Sequence, residues 1–313
     1  MKKALVVGID YYPNAPLKGC VNDATSFAQM MEAHGDGSLN FDVRLEKNVA
    51  SRSSLKQMII ELFEGENETA LFYFSGHGFL NELGGYIVTP DHKKYDEGVA
   101  MEDILKLASN SGTKNKIIIL DCCHSGAFGS PQISGGTSAY LKDGMVILTA
   151  SQASESAIEV NGHGVFTNLL LDALDGGAAD LRGHITPGSV YAYIDQALGT
   201  WDQRPVFKTN VTRFTSLRNV PPAVPLTILK KIKDYFPDPQ HEFALDPSYE
   251  YTNEDVAKPE NVAIFKNLQK FEGVGLVVPM GEEHMYWAAQ NSKSCRLTAL
   301  GAHYWRLIKD KRI

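Results

Sequence analysis

Short apolar runs alternating with amphipathic stretches fill the first two thirds of the chain. Ala4–Ile9, Phe41–Leu45, Thr69–Phe74, Ile117–Leu120, Met145–Ala150 and Val206–Thr212 have the length and the β-branched or aromatic content of strands. Gly84–Thr89 reads as a shorter hairpin strand. Between them, Ala24–Ala33 places Phe27, Met30 and Met31 on one helical face, and Ser51–Phe63 does the same with Leu55, Met58, Ile59 and Leu62. Asn22 or Asp23 stands where an amino-terminal cap of the first helix belongs, and Ser51 or Ser53 where that of the second belongs. Further helices are expected over Met101–Ala108, Gly164–Leu174 and Ser189–Leu198. Strands that alternate with helices in this way build a mostly parallel sheet covered on both faces, here with about six strands.

The pattern changes after Val220-Pro-Pro-Ala-Val-Pro225, a linker by composition. The expected division is therefore a domain over 1–219 and a second over 226–313. In the second, Leu226–Phe236 reads as a basic amphipathic helix, and Pro259 opens another through Phe271. Leu276–Pro279 and Met285–Ala289 read as a strand pair around Gly281, and His303–Lys309 as a last helix. Trp287, Tyr304 and Trp305 read as core residues.

With 313 residues and 43% hydrophobic content, the chain has the make-up of an ordinary globular protein. A net charge of −7 argues against general attraction to nucleic acid or membranes. No 18-residue apolar run indicates a membrane span, and the apolar start stops at Asp10, too early for a signal peptide. The four cysteines, Cys20, Cys122, Cys123 and Cys295, have no metal-ligand spacing. Reduced thiols in the cytoplasm are the expectation.

Candidate chemistry gathers at two strand ends. Asn115–Leu120 delivers Asp121-Cys-Cys-His-Ser-Gly126, and Thr69–Phe74 delivers Ser75-Gly-His-Gly78. Carboxyl ends of parallel strands are where sites are built in open α/β sheets. If the two strands are parallel, His77 and Cys123 share one edge, and an imidazole near a thiol turns it into a nucleophile. Cys122, one residue earlier, points to the opposite face by strand alternation and reads as packing, whereas Asp121 shares the side of Cys123. His124, adjacent to Cys123 in the chain, cannot easily reach its sulfur.

Tyr73-Phe-Ser-Gly-His-Gly78 and Asp121-Cys-Cys-His-Ser-Gly126 resemble the histidine and cysteine boxes of the caspase-like peptidases (clan CD, family C14), above all the metacaspases and bacterial caspase homologues. His77 and Cys123 lie 46 residues apart, near the roughly 50 of that clan. The resemblance spans about 1–215. It implies a caspase-like α/β/α sandwich and a cysteine endopeptidase working through an acyl-enzyme. Cys123 would be the nucleophile and His77 its base, and the N–H groups of Gly78 and Cys123 would form the oxyanion hole. Asp23, Asp121, Cys20 and Ser75 match the S1 pocket positions of metacaspases, which implies cleavage after Arg or Lys. A helix cap remains the alternative for Asp23 and a structural acceptor for Asp121. Ser151 and Gln152 would line the strand that pairs with substrate, or belong to a plain loop. The loop 127–141 holds no Lys or Arg, so self-processing there is not expected.

Some relatives need calcium. No EF-hand loop occurs here, so no resident metal or cofactor is expected, and calcium as an activator stays open. The second domain is similar, loosely, to winged-helix domains over about its last 45 residues. It is expected to meet an activating ligand or partner protein rather than nucleic acid or membrane. By resemblance, the whole would be a bacterial stress or antiphage-defence effector. The rival reading is a catalytically silent caspase-like scaffold acting through that second domain. A redox or nucleotide-binding protein is disfavoured, since no Cys-x-x-Cys, Gly-x-Gly-x-x-Gly or P-loop is present.

Overall fold

The structure is a computed structural model that describes residues 1–94, 96–122, 141–150, 159–160, 163–198 and 205–313. It divides into two compact units, Met1–Pro221 and Pro222–Ile313. The first unit runs β1 (Lys2–Gly8), α1 (Cys20–Glu32), β2 (Asp42–Lys47), α2 (Arg52–Phe63), β3 (Thr69–Ser75), β4 (Gly78–Asn81), β5 (Gly84–Lys93), β6 (Asp96–Ala100), α3 (Met101–Asn110) and β7 (Asn115–Asp121). It continues with β8 (Met145–Thr149), β9 (Glu159–Val160), β10 (His163–Gly164), α4 (Val165–Asp172), β11 (His184–Ile185), α5 (Pro187–Ala197), β12 (Val206–Asn210) and β13 (Arg218–Asn219).

Six strands form one sheet in the order β12-β8-β7-β3-β1-β2. Every neighbouring pair is parallel except β12 on β8, which is antiparallel at the edge. The sheet is mostly parallel, as the strand-helix alternation predicts. Strands β3 and β7 are central and buried along nearly their whole length, which is why they read as continuous apolar runs rather than alternating ones. Their side chains part by period two. Phe72, Phe74, Ile118, Leu120 and Cys122 pack with α2 and α3 residues such as Leu55, Ile59 and Ile104. Leu71, Tyr73, Ile117 and Ile119 pack on the other face with Phe27, Leu170 and Val190 of α1, α4 and α5. The result is a three-layer α/β/α sandwich.

Several local readings change. The expected Gly84–Thr89 strand is the middle of a three-stranded antiparallel sheet, β4-β5-β6. Its outer strands, four and five residues long, are too short to carry a pattern of their own and are held by pairing with β5. Helix α1 begins at Cys20, with Asp23 already inside its first turn and no side-chain cap at Gly19. Asp10 does the capping from the preceding loop: its carboxylate accepts from the N–H groups of Cys20 (2.8 Å) and Val21 (3.3 Å). Asp23 is thereby relieved of the capping role. At α2 the expected cap is present, Ser51 Oγ accepting from Ser54 N–H.

The second unit contains α6 (Leu226–Leu229), α7 (Ile232–Tyr235), β14 (Glu242–Ala244), α8 (Pro259–Gly273), β15 (Val277–Met280), α9 (Met285–Gln290), β16 (Ser294–Leu297) and α10 (Ala299–Lys309). The single helix expected over 226–236 is two short ones, separated where Lys231 N–H bonds Ile228 in an i→i+3 turn. Met285–Ala289 is helical, not a strand. The partner of β15 is β16, and the sheet order is β14-β16-β15, all antiparallel. A short apolar run carries no period that separates helix from strand. Trp305 is core and donates its indole N–H to the Phe236 carbonyl at 2.6 Å. Trp287, expected in the core, is 51% exposed.

Candidate active site

Parallel pairing of β3 with β7 sets Ser75 against Asp121. The residues that follow each strand therefore leave the sheet at the same edge, with His77 on one side. Cys123, His124, Ser151 and Gln152 lie outside the described residues. Cys122 is within them, fully buried among the apolar residues of the α2–α3 face.

The half-buried His77 is fixed from three directions. Its Nε2 stands 2.7 Å from the Ala15 carbonyl. A carbonyl can only accept, so Nε2 carries the hydrogen and Nδ1 keeps its lone pair in the neutral ring. The backbone N–H of His77 donates to the Tyr12 hydroxyl (3.1 Å), which in turn donates to the Val88 carbonyl (3.3 Å). The Tyr12 ring meets the imidazole edge-on, with centroids 4.5 Å apart. Burial pushes the Tyr12 hydroxyl well above the usual phenol range, so it stays protonated and able to donate. Gly76 makes the contact possible, because a Cβ there would stand 2.6 Å from the Tyr12 oxygen.

Gly78 opens β4 opposite Ile87, and Val88 N–H bonds the His77 carbonyl. In an antiparallel ladder that bond makes Gly78–Ile87 a non-hydrogen-bonded pair, so the Gly78 N–H is directed away from β5.

The acids converge on the other face of the sheet. Asp23 is 1% and Asp121 5% exposed. Asp23 Oδ2 accepts from the Gly164 N–H at 3.0 Å, and Asp121 Oδ2 accepts from the Thr167 hydroxyl at 2.7 Å. The Thr167 proton is thereby used, so the Tyr73 hydroxyl, 2.6 Å away, donates to Thr167. Burial first, then the charges of Asp121 and Asp23, hold the Tyr73 hydroxyl well above its ordinary range. A Cβ at Gly164 would lie 2.5 Å from Asp121 Oδ2 and 3.4 Å from Asp23 Oδ2. Both carboxylates thus border one point, with glycine the residue that leaves it clear. Cys20 and Ser75 are buried beside them, on α1 and at the end of β3. Among the described residues, no group of three His, Cys, Asp or Glu could hold a metal ion.

The chain belongs to the caspase-domain family of peptidases: the C14 family model, described as the caspase domain, matches residues 1–214. Among solved structures, it is similar to protein GSU0716 from Geobacter sulfurreducens at 17% identity, with a TM-score of 0.53 over 71% of this chain and 97% of that one. It is also similar to caspase-1 from Spodoptera frugiperda at 12% identity, with a TM-score of 0.52 over 70% of this chain and 90% of that one. At these identities the likeness is one of fold. No curated protein matches the sequence. No helix among the described residues is long and apolar enough to cross a membrane.

The sequence reading missed Asp10, Tyr12, Ala15, Tyr73, Gly164 and Thr167. Asp10 carried a signal, a lone acid ending an apolar strand. Ala15 carried none, because its backbone carbonyl does the work.

Proposed function

We propose that this protein is a cysteine endopeptidase that cleaves after Arg or Lys, with Cys123 as nucleophile and His77 as general base. The observation that carries the specificity is the convergence of Asp23 and Asp121 beside Gly164. Two buried carboxylates at one point suit a guanidinium, whose planar fork can bond both, or an ammonium between them. Cys20 and Ser75 would form the wall of this pocket.

The fixed tautomer supports the role of His77. With Nε2–H held by Ala15, Nδ1 accepts the Cys123 proton, and the thiolate attacks the scissile carbonyl. The tetrahedral oxyanion is met by the N–H groups of Gly78 and Cys123. The C–N bond breaks as the imidazolium returns its proton to the leaving nitrogen. Water then hydrolyses the thioester, with His77 again as base. Ser151 and Gln152 would pair with the substrate backbone.

The second unit, a small α+β module with an antiparallel sheet, would act as a winged-helix-like interaction domain that receives an activating ligand or partner, in a bacterial stress or phage-defence setting. Cleavage of short peptides with Arg, Lys or Asp at P1, by wild type and Cys123→Ala, with and without calcium, tests the proposal. Cleavage after Arg or Lys that vanishes in Cys123→Ala is expected. Cleavage after Asp alone would overturn the acidic-pocket assignment.

A further inference from the structure

A cleft of about 390 Å³ lies against His77, lined by Tyr12, Ala15, Phe79 and Val88 together with the basic residues His92, Lys93 and Lys94. We propose that this cleft is the subsite for the leaving-group side of the substrate, and that it selects an apolar residue directly after the scissile bond followed by an acidic one. This rests on the peptidase reading.

Position is the first argument. His77 must hand a proton to the leaving nitrogen, which requires hydrogen-bond reach. The segment carboxyl-terminal to the scissile bond therefore passes the His77 ring, and the ring is one wall of the cleft. Tyr12 and Val88 belong to the core on the α2–α3 face, whereas Tyr73, beneath the two acids, belongs to the opposite one. A substrate with its basic side chain in the acid pocket can set the next side chain on the other side of His77.

Chemistry is the second argument. Phe79 is 41% exposed at this wall, apolar surface that the chain itself leaves uncovered. The same lining holds His92, Lys93 and Lys94, with Glu97 its one acid. Negative charge in one pocket, and Lys93 and Lys94 against the single acid Glu97 in the other, favour a basic-apolar-acidic sequence and penalise the reverse.

The test uses the full-length protein. Internally quenched peptides with fixed Arg at P1 vary the two following positions, and a peptidyl-arginine methyl ester, whose leaving group is methanol, reports on the rest of the machinery. Wild type is expected to prefer Leu or Phe over Gly or Lys directly after the bond by about tenfold in kcat/KM. Phe79→Ala should lower the peptide-to-ester ratio by a similar factor. Lys93→Glu should shift the second position from Asp or Glu toward Lys or Arg. Ester cleavage with no preference at either peptide position overturns the subsite alone, as does an equal loss of ester and peptide turnover in Phe79→Ala. Failure to cleave both ester and peptides overturns the peptidase reading, and this inference with it.

Discussion

The two sides of His77 are built on opposite principles. On the α1 side, Asp23 and Asp121 are almost sealed from solvent and accept directed hydrogen bonds from Gly164 and Thr167. On the Tyr12 side, the wall is apolar and open, and directed bonds are spent on holding the imidazole itself. On the proposed mechanism, the difference follows from what each side would do. A buried carboxylate discriminates charge strongly because little water screens it, but it must be satisfied in the meantime, here by Gly164 and Thr167. In the proposed mechanism the ring transfers a proton, which needs a fixed tautomer and an open approach; Ala15 and Tyr12 supply the first and the adjoining cleft the second.

The adjacent cysteines break the comparison most sharply. Cys123→Ala should cost about 10,000-fold or more in kcat/KM. Cys122→Ala, on the apolar α2–α3 face, should leave turnover intact and lower stability by about 1 kcal/mol in urea unfolding. Comparable losses from both would show that the nucleophile has been misassigned. Next come Asp23→Asn and Asp121→Asn. Each keeps an oxygen to accept from Gly164 or Thr167 and removes only charge, so the ratio of arginine to citrulline cleavage should fall by about 30-fold or more, the penalty for breaking a buried charge pair. An unchanged ratio would reduce the two acids to structural acceptors.

Gly164→Ala sharpens the same side more gently. The glycine has φ −64° and ψ 132°, which alanine adopts freely, so any loss reports crowding alone. About a tenfold rise in KM for arginine substrates is expected as the new methyl presses on Asp121 Oδ2. Smallest for catalysis, Tyr12→Phe leaves the His77 N–H without its acceptor and should cost about 1–3 kcal/mol of stability by chemical denaturation. Full stability in that variant would mean that the hydroxyl does not organise the histidine.

Much of this was legible along the chain. The central strands were legible because strands buried on both faces must be continuously apolar, and the residues at their ends stood out as polar groups where apolar ones had just been. Asp121 and Cys122 took their faces from period two, and His77 its edge from the strand that precedes it. Asp23 was legible as a residue but ambiguous in role, since an acid near a helix start reads as a cap. Only the fold showed Asp10 doing that work from another segment. Met285–Ala289 went astray for a related reason: five apolar residues fit either a helix or a strand, and the pairing of Val277–Met280 with Ser294–Leu297 decided it.

The sequence by itself determined the layered α/β architecture, the two boxes at the strand ends and the family they resemble, because those depend on local periodicity and on side chains adjacent in the chain. Tertiary structure alone decided which nitrogen of His77 carries its proton, where Asp23 and Asp121 meet, and what lies on the far side of the imidazole. Each depends on partners from distant segments, the Ala15 carbonyl, the Gly164 N–H and the β4–β6 wall, and two of those are backbone groups that no residue type announces.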